Sequence, residues 1–150
     1  MAERSGYEGL KLENQLCFPL YACSKEIIKQ YKPFLDKIDL TYTQYITMMV
    51  LWEEKQIGVK ALGEKLYLDS GTLTPLLKKL EAKGLITRHR SKEDERNLIV
   101  TITEAGEALR DEAVDIPMDM GKCVDLSPDE AMVLYQLLYS ILGKISAKGE

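Results

Sequence analysis

Leu73, Leu76, Leu77 and Leu80 recur at helical spacing within Asp69–Gly84 and predict a short amphipathic helix. Ser70, Thr72, Thr74, Lys78 and Lys79 fall on its other faces, which gives it a polar, basic outer side. Just before it, Val59–Leu66 reads as another short helix with Ala61, Leu62 and Leu66 inward. Only Tyr67-Leu68-Asp69 connects the two, so the pair has the spacing of a helix-turn-helix. Gly84 is placed to close the second helix at C′. Residues 85–90 and 98–102 are strand-like and enclose a charged, turn-like Ser91–Asn97, which predicts a β-hairpin. Helix pair plus hairpin make a winged helix-turn-helix over residues 41–102.

Apolar periodicity continues on both sides of this module. Residues 1–9 are polar, include Gly6 and Gly9, and are expected to be loose. From about Leu10 the residues Leu12, Leu16, Leu20, Ile27, Ile28 and Tyr31 recur every three or four positions. Pro19 removes a backbone N–H, so this helix should kink or begin anew near Cys17, and Pro33 should end it at Lys32. A short amphipathic piece, Phe34–Leu40, is expected next. Thr41 and Gln44 fit a capping box for a helix whose inner side is read as Ile46, Met49, Val50 and Trp52. Thr103 can cap a helix through Ala105, Leu109, Ala113 and Ile116 that stops before Pro117. Ser127-Pro128-Asp129-Glu130 then opens a last helix to about Ser146. Met132, Leu134, Tyr135, Leu137, Leu138, Tyr139, Ile141, Leu142 and Ile145 cover more of its circumference than one packed face needs. A second subunit is the expected cover. The resulting fold class is mainly α with a small β-hairpin: one domain over 1–150, with dimerisation helices at 10–40 and 103–147 flanking the winged helix.

A net charge of −4 looks unfavourable for a nucleic-acid binder until it is divided along the chain. Residues 1–56 hold 7 basic and 8 acidic side chains, residues 57–102 hold 9 and 6, and residues 103–150 hold 4 and 10. The positive excess is confined to the winged helix, so one face is expected to meet phosphate. No apolar run reaches the roughly 18 residues of a membrane span and no signal-peptide core is evident, so a cytoplasmic protein without a membrane partner is expected. Cys17, Cys23 and Cys123 fit neither a disulfide framework nor a zinc pattern, and with one histidine, His89, no metal or cofactor is expected. His89 reads as a strand or rim residue rather than a catalytic base.

A dimer would place two such helices in successive major grooves of double-stranded DNA, roughly 34–36 Å apart, on a pseudo-palindromic site. Ser70, Thr72 and Thr74 would face base edges or phosphates, and Lys78 and Lys79 the backbone. Arg88, Arg90, Lys92 and Arg96 of the hairpin would bring positive charge to the flanking minor groove. Asp94 is spaced to hold Arg96 through a salt bridge.

The run from Leu62 to Glu81, followed by Lys83-Gly-Leu-Ile-Thr-Arg88 and Asp94-Glu-Arg96, resembles the core of the MarR family of dimeric winged-helix regulators. Residues 12–24, Leu-Glu-Asn-Gln-Leu-Cys-Phe-Pro-Leu-Tyr-Ala-Cys-Ser, and Gln30-Tyr-Lys-Pro33 resemble more specifically the organic hydroperoxide resistance regulators. The resemblance implies a homodimeric repressor in which organic hydroperoxides oxidise Cys17 to a sulfenic acid and the operator is released. It also implies that two tyrosines from the partner subunit, matching Tyr31 and Tyr42, hydrogen-bond the sulfur; Tyr21 lies nearby in sequence. Members differ in how the sulfenate resolves, so a low-molecular-weight thiol and a second cysteine both stay open. Cys123, expected in the break between the last two helices, resembles the resolving position. Cys23, about 9 Å from Cys17 along a helix, lies beyond the ~7 Å Cα separation a disulfide allows.

Two other readings compete. One is a MarR-type repressor released by a small phenolic or apolar ligand. The other is a thiol enzyme using Cys17, against which stands the lack of any accompanying histidine or carboxylate constellation; the chain is read as no enzyme.

Overall fold

Thr41 starts the helix on which the DNA-binding half is built. Its hydroxyl accepts from the Gln44 N–H at 3.3 Å while the Gln44 side chain accepts from the Thr41 N–H at 3.0 Å, completing the predicted capping box. In the computed structural model, which describes residues 6–148, this helix is the second of seven: α1 Cys17–Asp36, α2 Tyr42–Glu54, α3 Val59–Leu66, α4 Ser70–Ala82, α5 Glu104–Ala113, α6 Ile116–Val124 and α7 Pro128–Lys148. The looseness expected of residues 1–5 lies outside the described residues. Residues 8–10 and 12–14 form single 3-10 turns.

Three strands accompany the helices: β1 Gln56–Gly58, β2 Ile86–Arg90 and β3 Leu98–Ile102. They form an antiparallel sheet in the order β1-β3-β2, with Arg88 opposite Val100 and Ile57 also opposite Val100. The hairpin was legible; β1 was not, because three residues are too few to show an alternation. Lys55 turns the chain from α2 into β1 at φ 68°, and its carbonyl accepts from the Ile102 N–H at 3.0 Å.

Several sequence expectations need correction. Pro33 does not end the first helix: α1 runs through it to Asp36, so there is no separate Phe34–Leu40 piece. Pro33 and Lys29 are both exposed, so the carbonyl that loses its donor faces water. The helix begins at Cys17, which puts Pro19 in the first turn, where its missing N–H costs no hydrogen bond. The inner side of α2 is Tyr45, Met48, Leu51 and Trp52 with Gln44 and Thr47, whereas Met49 is 43% exposed. The capping box turns Gln44 inward and thereby sets the phase of the helix. Ala61 is exposed, while Leu62 and Gly63 face the core. Pro117 lies inside α6 rather than beyond a helix end: Thr103 caps α5, and Ile116 and Pro117 start a new helix after two turn residues.

The core of this half comprises Met48, Leu51, Leu62, Leu73, Leu77, Leu80, Ile86 and Val100, all at most 1% exposed. Trp52 closes it toward α5 by donating its indole N–H to the Gly106 carbonyl at 2.8 Å. Gly106 is also packed tightly against the root of the hairpin: a Cβ there would overlap the Leu85 carbonyl oxygen and lie 2.7 Å from Ile102 Cγ1.

The chain divides into two compact units, Met1–Ile116 and Pro117–Glu150. In the second, Ser127 and Glu130 form the capping box of α7, at 3.2 and 2.9 Å. Met132, Val133, Leu134, Tyr135, Leu137, Tyr139, Ile141 and Ile145 of α7 are each more than 40% exposed.

Gly106→Ala is expected to destabilise the protein by about 1–3 kcal/mol or more, because backbone rather than a flexible side chain must yield. Thermal unfolding followed by circular dichroism checks this. A melting temperature within a degree of wild type would show that the site can relax.

Candidate functional site

The helix-turn-helix is α3, the three residues 67–69, and α4. Tyr67 takes left-handed backbone geometry at φ 56°, ψ 37° and ends α3, and the Asp69 carboxylate accepts from the Thr72 N–H at 2.7 Å to begin α4. Hydrogen bonds from the Thr72 backbone hold the Asp69 carboxyl below the usual carboxylate range. Leu73, Leu76, Leu77 and Leu80 are buried, and Ser70, Thr72, Thr74, Lys78 and Lys79 are all exposed. The Thr74 hydroxyl donates to the Ser70 carbonyl at 2.9 Å, leaving its lone pairs outward. Gly84 stands at φ 75° as the C′ residue and turns the chain into β2.

Residues 91–97 form an organised tip. Ser91 N–H donates to the Asn97 carbonyl at 2.8 Å, and Asn97 N–H to the Asp94 carbonyl at 2.9 Å. Asp94 accepts from Arg96 Nε at 3.1 Å, Nη2 at 3.2 Å and the backbone N–H at 3.1 Å. Arg96 donates to it from both side chain and backbone, and this holds the Asp94 carboxyl below its ordinary range. The Arg96 side chain nonetheless stays 90% exposed. Arg90, Lys92 and His89 are exposed as well. Arg88 differs from the other basic residues of the hairpin: its side chain is only 19% exposed and pairs with Glu81 at 3.1 Å.

Cys17 is the first residue of α1 and is exposed, at the end of a helix where unpaired N–H groups gather. Tyr21, one turn on, is 63% exposed. Tyr31 is on the same helix, fourteen residues or about 21 Å of rise from Cys17. It packs instead against α2, with its ring centroid 4.9 Å from Tyr42 and 5.9 Å from Tyr45. Tyr45 in turn meets Trp52 edge-on at 6.4 Å. Burial raises the phenol pKa values of Tyr31, Tyr42 and Tyr45, and the neighbouring phenols add to this at Tyr31 and Tyr45. These hydroxyls therefore remain donors throughout the physiological range.

Cys23 shares the uninterrupted α1 with Cys17 and is exposed. Cys123 lies in the last turn of α6 rather than in the break between the last two helices, because α6 runs one residue past it; it too is exposed. Two members of these sites escaped the sequence reading. Tyr45 follows Tyr42 by one helical step, a signal that was present. Glu81 reaches Arg88 across a helix end, a turn and a strand start, for which no regular spacing exists.

Comparison with known proteins agrees with this geometry. The family model for the transcriptional regulator SarA/Rot matches residues 29–113. The organic hydroperoxide resistance transcriptional regulator of Bacillus subtilis is 52% identical over 145 residues, covering 95% of this chain and 97% of that protein. Reduced AbfR bound to DNA superposes with a TM-score of 0.76 at 34% identity, covering 93% of this chain and 98% of that one; AbfR is a Staphylococcus epidermidis protein. Disulfide-formed AbfR superposes at 0.62 with 35% identity, covering 91% and 96%.

Spectrophotometric titration is expected to show a fraction of the phenols ionising above the ordinary tyrosine range. Tyr31→Phe and Tyr42→Phe should each remove part of that late fraction. A single transition near pH 10 that neither substitution alters would contradict the buried cluster.

With a winged helix-turn-helix capped at Asp69, an exposed cysteine at the head of its first helix and a relative at 52% identity along almost the whole chain, the protein belongs to the MarR-type winged-helix regulators, and among them to the organic hydroperoxide resistance regulators.

Proposed function

We propose that the chain is a homodimeric transcriptional repressor that holds a pseudo-palindromic double-stranded operator while Cys17 is reduced and releases it when an organic hydroperoxide oxidises that sulfur. One observation carries this reading: Cys17 is about 21 Å along α1 from Tyr31, against which Tyr42 packs, so a dimer is what can bring the thiol to these phenols. Leu16 at 84%, Phe18 at 42% and Leu20 at 44% exposure offer the apolar surface for that meeting. Cys17 of one protomer then lies against Tyr31 and Tyr42 of the partner subunit, with Tyr21 beside the thiol. The whole chain acts as a single domain, in which 10–40 and 103–147 dimerise and 41–102 reads DNA.

The chemistry balances without a cofactor. The Cys17 thiolate attacks the terminal peroxide oxygen, the O–O bond breaks, and the departing alkoxide takes the proton as an alcohol, leaving a sulfenate on the protein. Attack on the sulfenic acid by a second thiol, from Cys123 or a small molecule, forms a disulfide and releases water. Each protomer turns over once until a thiol reduces it, so the protein is a cytoplasmic sensor and no enzyme.

Displacement at the sulfur reaches DNA through α2. Tyr42 opens that helix, and Met48, Leu51 and Trp52 in it pack into the core that also carries α4. Shifting α2 moves each α4 relative to its twin and spoils the match to groove spacing. Ser70, Thr72 and Thr74 face bases or phosphates, Lys78 and Lys79 the backbone, and Arg90, Lys92 and Arg96 the minor groove.

The test uses a duplex enriched by the wild-type protein from a random-sequence library. Cumene hydroperoxide is expected to lower its affinity at least about tenfold at fixed salt, to be consumed at about one equivalent per protomer, and to leave Cys17→Ser bound. Release of Cys17→Ser to the same extent would sink the redox reading. Non-reducing mass spectrometry after the same treatment should show Cys17 linked to Cys123 or to an added thiol.

A further inference from the structure

Arg88 stands apart from the other cations of the hairpin. Alternation along β2 puts Ile86 and Arg88 on one face, and Ile86 is 1% exposed. The β3 partner of Arg88 is Val100, which is fully buried, so the aliphatic stem of Arg88 lies over the core. Its Nη2 donates to Glu81 Oε1 at 3.1 Å, and its own backbone N–H donates to Glu81 Oε2 at 3.1 Å. Both carboxylate oxygens of Glu81 are thus spent on one residue, one on its side chain and one on its main chain. Arg88 Nε is enclosed with no partner, so that edge of the guanidinium is closed to any incoming phosphate.

Glu81 lies in the last turn of the recognition helix α4, and Arg88 in the middle of the first strand of the wing. Between them run only the helix end, Gly84 at positive φ and the entry to β2. The Leu85 N–H donates to the Leu80 carbonyl at 3.1 Å and the Thr103 hydroxyl to the Gly84 carbonyl at 2.6 Å, which fix the root of this connection; Glu81–Arg88 is the side-chain tie that extends the hold to the middle of β2.

We infer that Glu81 and Arg88 are positioning residues that lock the wing onto the recognition helix, so that Arg90, Lys92 and Arg96 arrive in one register with α4, and that Arg88 is not itself a phosphate contact. The inference rests on the DNA-binding reading above. It makes a prediction whose sign differs from simple electrostatics. Removing the Glu81 charge near a polyanion would strengthen binding if charge were all that mattered. Loss of the lock weakens it instead. Arg88 bonding also holds the Glu81 carboxyl below its ordinary range, which keeps the pair intact at neutral pH.

The experiment measures binding of E81Q, R88Q, R88K and the E81Q/R88Q double variant to the wild-type-selected duplex across a salt series. Thermal melts establish that each variant is folded. Each single variant, R88K included, is expected to bind about tenfold more weakly with an unchanged salt slope, and the double variant no more weakly than either single one. Hydrogen exchange at the Arg88 amide should accelerate in E81Q. The inference is overturned if E81Q binds as tightly as wild type or tighter. It is equally overturned if R88Q lowers the slope by about 0.9, the signature of one lost phosphate contact, while R88K retains affinity. A wild-type protein that enriches no duplex would overturn the DNA reading itself, before any variant is compared.

Discussion

The fold of the first unit hangs on the approach of Trp52 to Gly106. Their hydrogen bond joins residues 54 positions apart and lies in the core. Without it, a buried indole N–H would go unsatisfied, at a cost of about 1–3 kcal/mol. Beside this bond the lack of a Cβ at position 106 lets the Leu85 carbonyl, Ile102 and Met48 pack against the start of α5. Around this point α2, the start of α5 and the root of the hairpin converge. Thr103 strengthens the junction: its hydroxyl accepts from the Gly106 N–H at 3.1 Å and donates to the Gly84 carbonyl at 2.6 Å. The recognition helix, the wing and the helix leading out of the module therefore share one anchor, and none of them can shift without disturbing it.

That shared anchor gives the tyrosine cluster its leverage. Tyr31 belongs to α1, whereas Tyr42 and Tyr45 belong to α2, and Tyr45 touches Trp52. A change felt by the Tyr31 and Tyr42 hydroxyls is thus two rings away from the Trp52–Gly106 bond. These are packed aromatic groups rather than exposed ones, so a displacement is passed on by contact instead of being absorbed by solvent. The separation of Cys17 from this cluster along a continuous α1 matters equally. Cys17 stays exposed at the start of α1, while Tyr31 packs against Tyr42 and Tyr45 where α1 meets α2.

Much of this was legible in the sequence, and the misses have physical causes. The leucine stripe of α4, the capping residues Thr41, Thr103 and Ser127, and Gly84 depend on local chemistry, and local chemistry is written in adjacent residues. The extent of α1 was missed because the cost of Pro33 falls when its orphaned carbonyl faces water, and burial is a tertiary property. β1 was missed because its three residues gain strand geometry from β3, not from their own alternation. Cys17, Tyr31 and Tyr42 were singled out by a resemblance of motifs, but the separation of Cys17 from Tyr31 along one chain follows only from the unbroken α1 between them.

Arg88 is the instructive case. In sequence it is one of four cations around a turn, and counting charge gives it the same task as Arg90, Lys92 and Arg96. Charge alone does not assign the task; distance from the core along β2 does, since Arg88 and Arg90 share one face of that strand. Arg90 and Lys92 lie toward the tip, where nothing packs, and Arg96 keeps 90% of its side chain in solvent even while Asp94 holds it. Arg88 falls over Val100 and beneath the end of α4, and there a guanidinium must find an acceptor within the protein or leave its charge buried. Glu81 supplies the acceptor. Pairing Arg88 with Glu81 withdraws one cation and one anion together, so the positive excess of residues 57–102 is unchanged, but the exposed cations that express it include Lys78 and Lys79 in the second half of α4 and Arg90, Lys92 and Arg96 of the hairpin.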